Sequence, residues 1–220
     1  MDFSFMYKYY GFFVDGTAIT LLLSLFGVIF GAIIGVIFAL MKLSKNRLLK
    51  SFSTAYIEVV RGTPLLVQMY IVYYGIPRLV GVDFEDLTLG IIAISLNSAA
   101  YVAEIIRAGI LSIDKGQMEA ARSLGMSHRL AMTNIIIPQA FKNILPALGN
   151  EFIVLIKESA IVSIIGIHDL MYNTDTVRGN TFRPFSPLLV AAAIYFAITF
   201  TLSKLMGILE RRLRAGDSSI

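Results

Sequence analysis

Residues 16–41 contain no charged side chain, and that stretch decides the setting in which this chain must fold. A helix needs about 20 apolar residues to cross the hydrocarbon core of a bilayer, and this run exceeds that length. Gly27, Gly31 and Gly35 recur every fourth residue along it, putting a smooth stripe on one face where another helix can approach closely. Four more stretches read as spans: 52–76, interrupted by Glu58, Arg61 and Pro64, then 87–106, 138–156 and 187–209. In the last of these, Lys204 lies close enough to the end to snorkel. The apolar piece 160–167 is too short to cross and reads as a re-entrant or packed turn. Charged residues make up only 15% of the 220, with mean hydropathy +0.74, whereas soluble domains carry about 25%. The expectation is an all-α integral membrane protein with five transmembrane helices, one domain over residues 1–220, bathed in membrane lipid.

Five spans put the termini on opposite sides, and Lys/Arg asymmetry decides which way round. Lys42, Lys45, Arg47 and Lys50 follow the first span. On the same side fall Arg107, Lys115, Arg122 and Arg129 of a long polar insert, and Arg211, Arg212 and Arg214 of the tail. The opposite side has Lys8, Arg78, Lys157, Arg178 and Arg183, mixed with Asp83, Glu85, Asp86, Asp169 and Asp175. The N-terminus is therefore expected outside, with the insert and the C-terminus cytoplasmic. The same asymmetry accounts for the net charge of +4, so no nucleic-acid partner is expected. The first residues, MDFSFMYKYYGFFVDG, lack a signal-peptide pattern and read as an aromatic interfacial segment. Cysteine is absent, which excludes thiolate metal sites, and His128 and His168 lie far apart, so no metal site is expected.

The insert reads GQMEAARSLGMSHRLAMTNIIIP. Residues 117–124 form a good helix, Gly125 breaks it, Ser127 can cap a second helix toward Ile137, and Pro138 stands where the next span begins. A plain cytoplasmic hairpin joining two spans is one reading. Docking of a partner is the other, since small Ala120 and Ala121 permit close backbone approach and Glu119 can pair with a basic residue. The spacing of Glu119, Ala120, Ala121, Gly125, Ile135 and Pro138 resembles the EAA loop of ABC-importer permeases, with Ile137 where Leu is usual. The segments YIEVVRGTPLLVQ, AYVAEIIRAGI and LPALGNEFIVLIKESAIVSIIG are similar to polar amino-acid permeases of bacterial binding-protein-dependent importers. That resemblance covers about 15–212; at Glu158-Ser159-Ala160, members often have Asp-Thr-Ser.

The resemblance implies a type I ABC importer permease fold in the bacterial plasma (inner) membrane, with cytoplasmic EAA coupling helices. It implies two copies of a separate ABC ATPase holding ATP-Mg, docked on that loop. It implies an extracytoplasmic amino-acid binding protein that delivers substrate to the acidic outer loops; and because five helices are few for lining a pathway, a second permease subunit is expected, as a homodimer or a paralogous heterodimer. No cofactor is expected in this chain itself, and no enzymatic activity, since it has no GxxxxGK[ST] phosphate loop.

Ionisable residues inside spans suggest functional sites. Glu58 and Arg61, and likewise Glu104 and Arg107, stand three apart and can form intrahelical ion pairs. Glu151 has no basic neighbour at helical spacing apart from Lys157, two turns away. One reading has Glu58 and Glu151 facing a polar cavity and meeting a substrate's ammonium or guanidinium, with Asn97 and Asn150 adding hydrogen bonds. The other has both glutamates closing helix–helix contacts. The first favours a basic amino acid (arginine, lysine or histidine), with glutamine or another polar amino acid as runner-up. An ion-coupled secondary transporter is less favoured because no inverted repeat is visible. His128 reads as a solvated or docking contact, His168 as an exposed histidine at the outer face, and Tyr70, Tyr73 and Tyr74 as an interfacial belt.

Overall fold

The computed structural model describes residues 2–215, and every regular element among them is a helix. The side chain of Arg214, one of the basic tail residues, lies outside the described set. In order the elements are α1 (Met6–Leu43), α2 (Arg47–Gly62), α3 (Leu65–Val80), α4 (Asp86–Leu111), α5 (Lys115–Ser123) and α6 (His128–Ala131). A π-helical turn (Met132–Ile136), α7 (Ile137–Glu158), a 3-10 helix (Ser159–Ile165), α8 (Leu170–Thr181) and α9 (Ser186–Ala215) complete the chain.

The glycine stripe of α1 meets α4. A methyl on Gly27 would stand 2.5 Å from Ile94 Cγ2, one on Gly31 2.8 Å from Ser98 Cβ, and one on Gly35 2.8 Å from Val102 Cβ. Only a missing Cβ allows backbones this close, and the two helices run parallel through the contact. Buried Leu23, Met69, Ala93, Ile94, Leu155 and Val162 form the main core around this seam.

The other helices alternate in direction. Tyr56 Oη of α2 donates to Leu96 O of α4 (2.6 Å), and Tyr73 Oη of α3 donates to Asp86 Oδ1 (2.9 Å), so α2 and α3 together run antiparallel along α4. A methyl on Gly109 of α4 would meet Ile144 of α7 at 2.4 Å, while Ser98 bonds Glu151, which makes α7 antiparallel to α4 as well. Gly149 of α7 lies under Met206 of α9, and Phe152 shares a groove with Ala197 and Ile198, so α9 runs back the other way. Five helical stretches (α1, α2 with α3, α4, α7 and α9) thus alternate in direction along the chain, and they are unequal. Among the described residues, three helices are long and apolar enough to span alone: Met6–Leu43, Asp86–Leu111 and Ser186–Leu213. The second crossing is two 16-residue helices, each too short by itself. The fourth, α7, has the length but carries Lys142, Glu151, Lys157 and Glu158.

The short piece 160–167 is a packed turn, as expected, with Val162 and Ile165 in the core. Helix α8 packs on α1, where Asn173 Nδ2 donates to Phe12 O (2.9 Å). The N-terminal segment is tied down by an ion pair from Arg183 to Asp2, with the guanidinium over the Phe5 ring.

Candidate functional site

The break between α2 and α3 follows from Pro64. Proline lacks an N–H and disfavours helical geometry in the residue before it, so Thr63 turns extended (φ −120°, ψ 148°) and α2 ends at Gly62. The last carbonyls of α2 then need donors. Gln68, one turn into α3, supplies them: its Nε2 lies 2.7 Å from Val60 O, 3.0 Å from Thr63 O and 2.9 Å from Thr63 Oγ1. Asn97 of α4 in turn donates to Gln68 Oε1 (2.9 Å). Pro64, the first residue before α3, makes no side-chain cap. Asn97 sits midway along α4, so the break lies at mid-height in the bundle.

Glu58 and Arg61 stand on the exposed side of α2 beside this break. With Lys42, Gly62, Tyr101 and Glu104 they line a polar cleft of about 440 Å³. The Glu58–Arg61 ion pair expected from spacing does not form. Arg61 instead lies over the Tyr101 ring, 5.4 Å from its centroid, and Glu58 has no ion pair among the described residues. The second expected pair does form: Arg107 Nε lies 3.0 Å from both oxygens of Glu104, and Lys42 Nζ adds a further bond to Oε2 at 3.1 Å.

Glu151 sits elsewhere. It is 8% exposed, accepts from Ser98 Oγ (3.0 Å), and does not line the cleft that Glu58 lines. Asn97 is 3% exposed and engaged with Gln68, while Asn150 is exposed on α7. The structure thus brings Asn97 to the break, leaves Glu58 at its rim, and sets Glu151 in the packed face of α7 against α4. Gln68 was not singled out from the sequence. A lone amide in an apolar helix four residues after a proline is the signal that marks it.

The insert forms the helical pair its punctuation predicts. Asp114 caps α5 by accepting from Gly116 N (2.7 Å). Gly125 takes φ +85°, with Met126 N bonded to Ala121 O and Gly125 N to Arg122 O (both 3.1 Å), which closes a Schellman turn. Ser127 Oγ then accepts from Leu130 N (3.2 Å) and starts α6. Two details differ from expectation. Ala121 is 1% exposed and packs within the pair, so close approach by a partner is left to exposed Glu119 and Ala120, with Leu124 at the tip 83% exposed. Pro138 does not start a new helix: α6 continues through the π-helical turn into α7. Residue 138 has no N–H to offer Asn134 O, and the helix widens so that Ile137 N reaches Met132 O. Ile135 is half-buried at this turn, and its carbonyl accepts from Gln139 Nε2 (2.9 Å).

A bundle of alternating membrane helices, broken at mid-height over a polar cleft and extended at one end by an exposed helical pair, has the organisation of a transport permease. The chain belongs to the family described as binding-protein-dependent transport system inner membrane component, whose model matches residues 27–215. It is 49% identical, over 92% of its length and 93% of the relative's, to the putative glutamine transport system permease protein GlnP of Rickettsia bellii. It is 43% identical, over 99% of both chains, to the arginine transport system permease protein ArtQ of Bacillus subtilis. A crystal structure of an amino acid ABC transporter with histidines superposes with a TM-score of 0.92 at 52% identity, covering 96% of this chain and 99% of that one. The inward-facing MetNI methionine ABC transporter, at 18% identity and a TM-score of 0.81 over 97% of this chain and 99% of that one, shares the fold. The chain is thus an amino-acid ABC-importer permease of the inner membrane with the type I importer fold, and its family implies an ATPase and a binding protein as partners.

Proposed function

We propose that this chain forms the translocation pathway of a basic amino-acid importer, with substrate held at the α2–α3 break. The observation that carries the reading is Glu58: a carboxylate without an ion pair among the described residues, on a cleft that opens at the end of a broken helix. Broken membrane helices are suited to zwitterions. The negative C-terminal end of α2 suits an ammonium, and the uncapped first amides of α3 suit a carboxylate. Glu58 would take the side-chain cation. Glu151, buried with one hydroxyl donor, would gain a cation from the substrate or from a second subunit.

In this reading the N-terminus faces outward. Two copies of a separate ATPase hydrolyse ATP-Mg and dock on Glu119, Ala120 and the Gly125 turn, and a second permease, identical or paralogous, completes the pathway. ATP-driven closure tilts the spans through the continuous α6–α7 helix. A second reading, glutamine, is favoured by the amides of Gln68 and Asn97 at the break and by the glutamine-named relatives.

Substrate-stimulated ATPase activity of the reconstituted complex with its binding protein, across an amino-acid panel, tests the proposal. Stimulation by arginine, lysine or histidine supports it. Stimulation by glutamine alone replaces it with the second reading.

A further inference from the structure

Four charged side chains line the cleft beside the α2–α3 break: Lys42, Glu58, Arg61 and Glu104. Two of them neutralise each other, since Lys42 Nζ of α1 lies 3.1 Å from Glu104 Oε2 of α4. What remains is one acid and one base, three residues apart on α2. That spacing permits an ion pair, yet Arg61 lies over the Tyr101 ring of α4 instead.

The face of α4 accounts for this. Asn97, Tyr101 and Glu104 follow one another at helical spacing, and each holds a polar group at or beside the break. Asn97 holds the Gln68 amide, Tyr101 the Arg61 guanidinium and Glu104 the Lys42 ammonium. A guanidinium laid on a ring uses its face, and its N–H donors, which lie in the plane, stay free at the edge. Those donors match a carboxylate two at a time. Glu58 in turn keeps its carboxylate open to a cation. An acid and a base held apart in one cleft complement a molecule that carries both charges.

We propose that Arg61 receives the α-carboxylate of the transported amino acid, and that Tyr101 is the positioning residue that keeps Arg61 from closing on Glu58. The inference rests on the reading that substrate sits at the break. It does not depend on the side chain carried, because every α-amino acid has that carboxylate. Arg61 adds a full positive charge to what the first α3 amides offer the same anion.

Equilibrium binding of radiolabelled arginine to the permease–ATPase complex in lipid nanodiscs tests this, with argininamide, which lacks the carboxylate, as competitor. Wild type should bind arginine about tenfold more tightly than argininamide. Arg61→Gln should erase that preference by weakening arginine and sparing argininamide. Tyr101→Phe keeps the ring and should match wild type. Tyr101→Leu frees Arg61 to pair with Glu58 and should weaken both ligands. Adding Arg61→Gln to Tyr101→Leu should then return argininamide to its affinity in R61Q, a rescue that a merely structural tyrosine would not allow. An undiminished preference in R61Q, an equal loss of both ligands there, or no rescue in the double variant would each overturn the inference. Arginine binding that survives R61Q but falls in Glu58→Gln leaves the substrate site standing and removes only Arg61 from it. Binding that survives both substitutions removes the site as well, as does a wild-type complex that binds neither arginine nor glutamine. Where wild type binds glutamine alone, the basic-substrate reading fails, and glutamine against glutaminamide decides the role of Arg61 by the same loss of preference in R61Q.

Discussion

The α1–α4 seam and the α2–α3 crossing use similar lengths of membrane to opposite ends. The seam is unbroken, locked by three glycines whose missing side chains let two backbones touch. The α2–α3 crossing is interrupted at mid-height, its backbone satisfied by the Gln68 side chain, which Asn97 holds in place, and its rim carries Glu58 and Arg61. A lipid-facing helix cannot leave carbonyls unpaired, so such a break is sustainable only where side chains or a polar cleft complete it. One region holds the bundle together, and the other has polar groups with which to bind something.

Four substitutions test that contrast, from the largest effect to the smallest. Gly31→Leu would drive a side chain into Ser98 and should cost about 3 kcal/mol, seen as a lowered unfolding midpoint in detergent; a wild-type midpoint would mean the seam is not locked by its glycines. Gln68→Leu should cost about 2 kcal/mol by stranding Val60 O, Thr63 O and the Asn97 amide, and should abolish transport even where folded protein is recovered. Gly125→Val, at φ +85°, should cost about 1–2 kcal/mol and leave ATPase binding weak and uncoupled from substrate. Gly75→Ala in α3 meets nothing within 4 Å, so it should be neutral or add a few tenths of a kcal/mol, an amount readable in the same unfolding assay.

The features legible in the sequence were those set by local rules. A glycine every fourth residue predicted a close helix contact, though not that α4 was the partner. Gly125 and Ser127 predicted the turn and cap of the helical pair, because positive φ and N-capping each demand particular residues. Long-range competition hid the rest. Arg61 turns to the Tyr101 ring on another helix instead of to Glu58 on its own, and spacing along α2 carries no trace of Tyr101. Asp169 looked like one more outer acid until tertiary packing closed over it. At Pro138 the sequence suggested a boundary, whereas a π-helical turn absorbs the missing N–H and keeps α6 and α7 continuous.

The central claim is that Glu58, at the rim of the broken crossing, meets the substrate's cation. Comparing Glu58→Gln with Glu151→Gln in the reconstituted complex, by arginine-stimulated ATPase activity, tests it most directly. The account predicts that Glu58→Gln raises the arginine concentration for half-maximal stimulation by about tenfold or more, the loss of one charge-assisted contact, with basal ATPase activity unchanged. An unchanged half-maximal concentration in Glu58→Gln would contradict the account, and a shift confined to Glu151→Gln would move the site into the α4–α7 face.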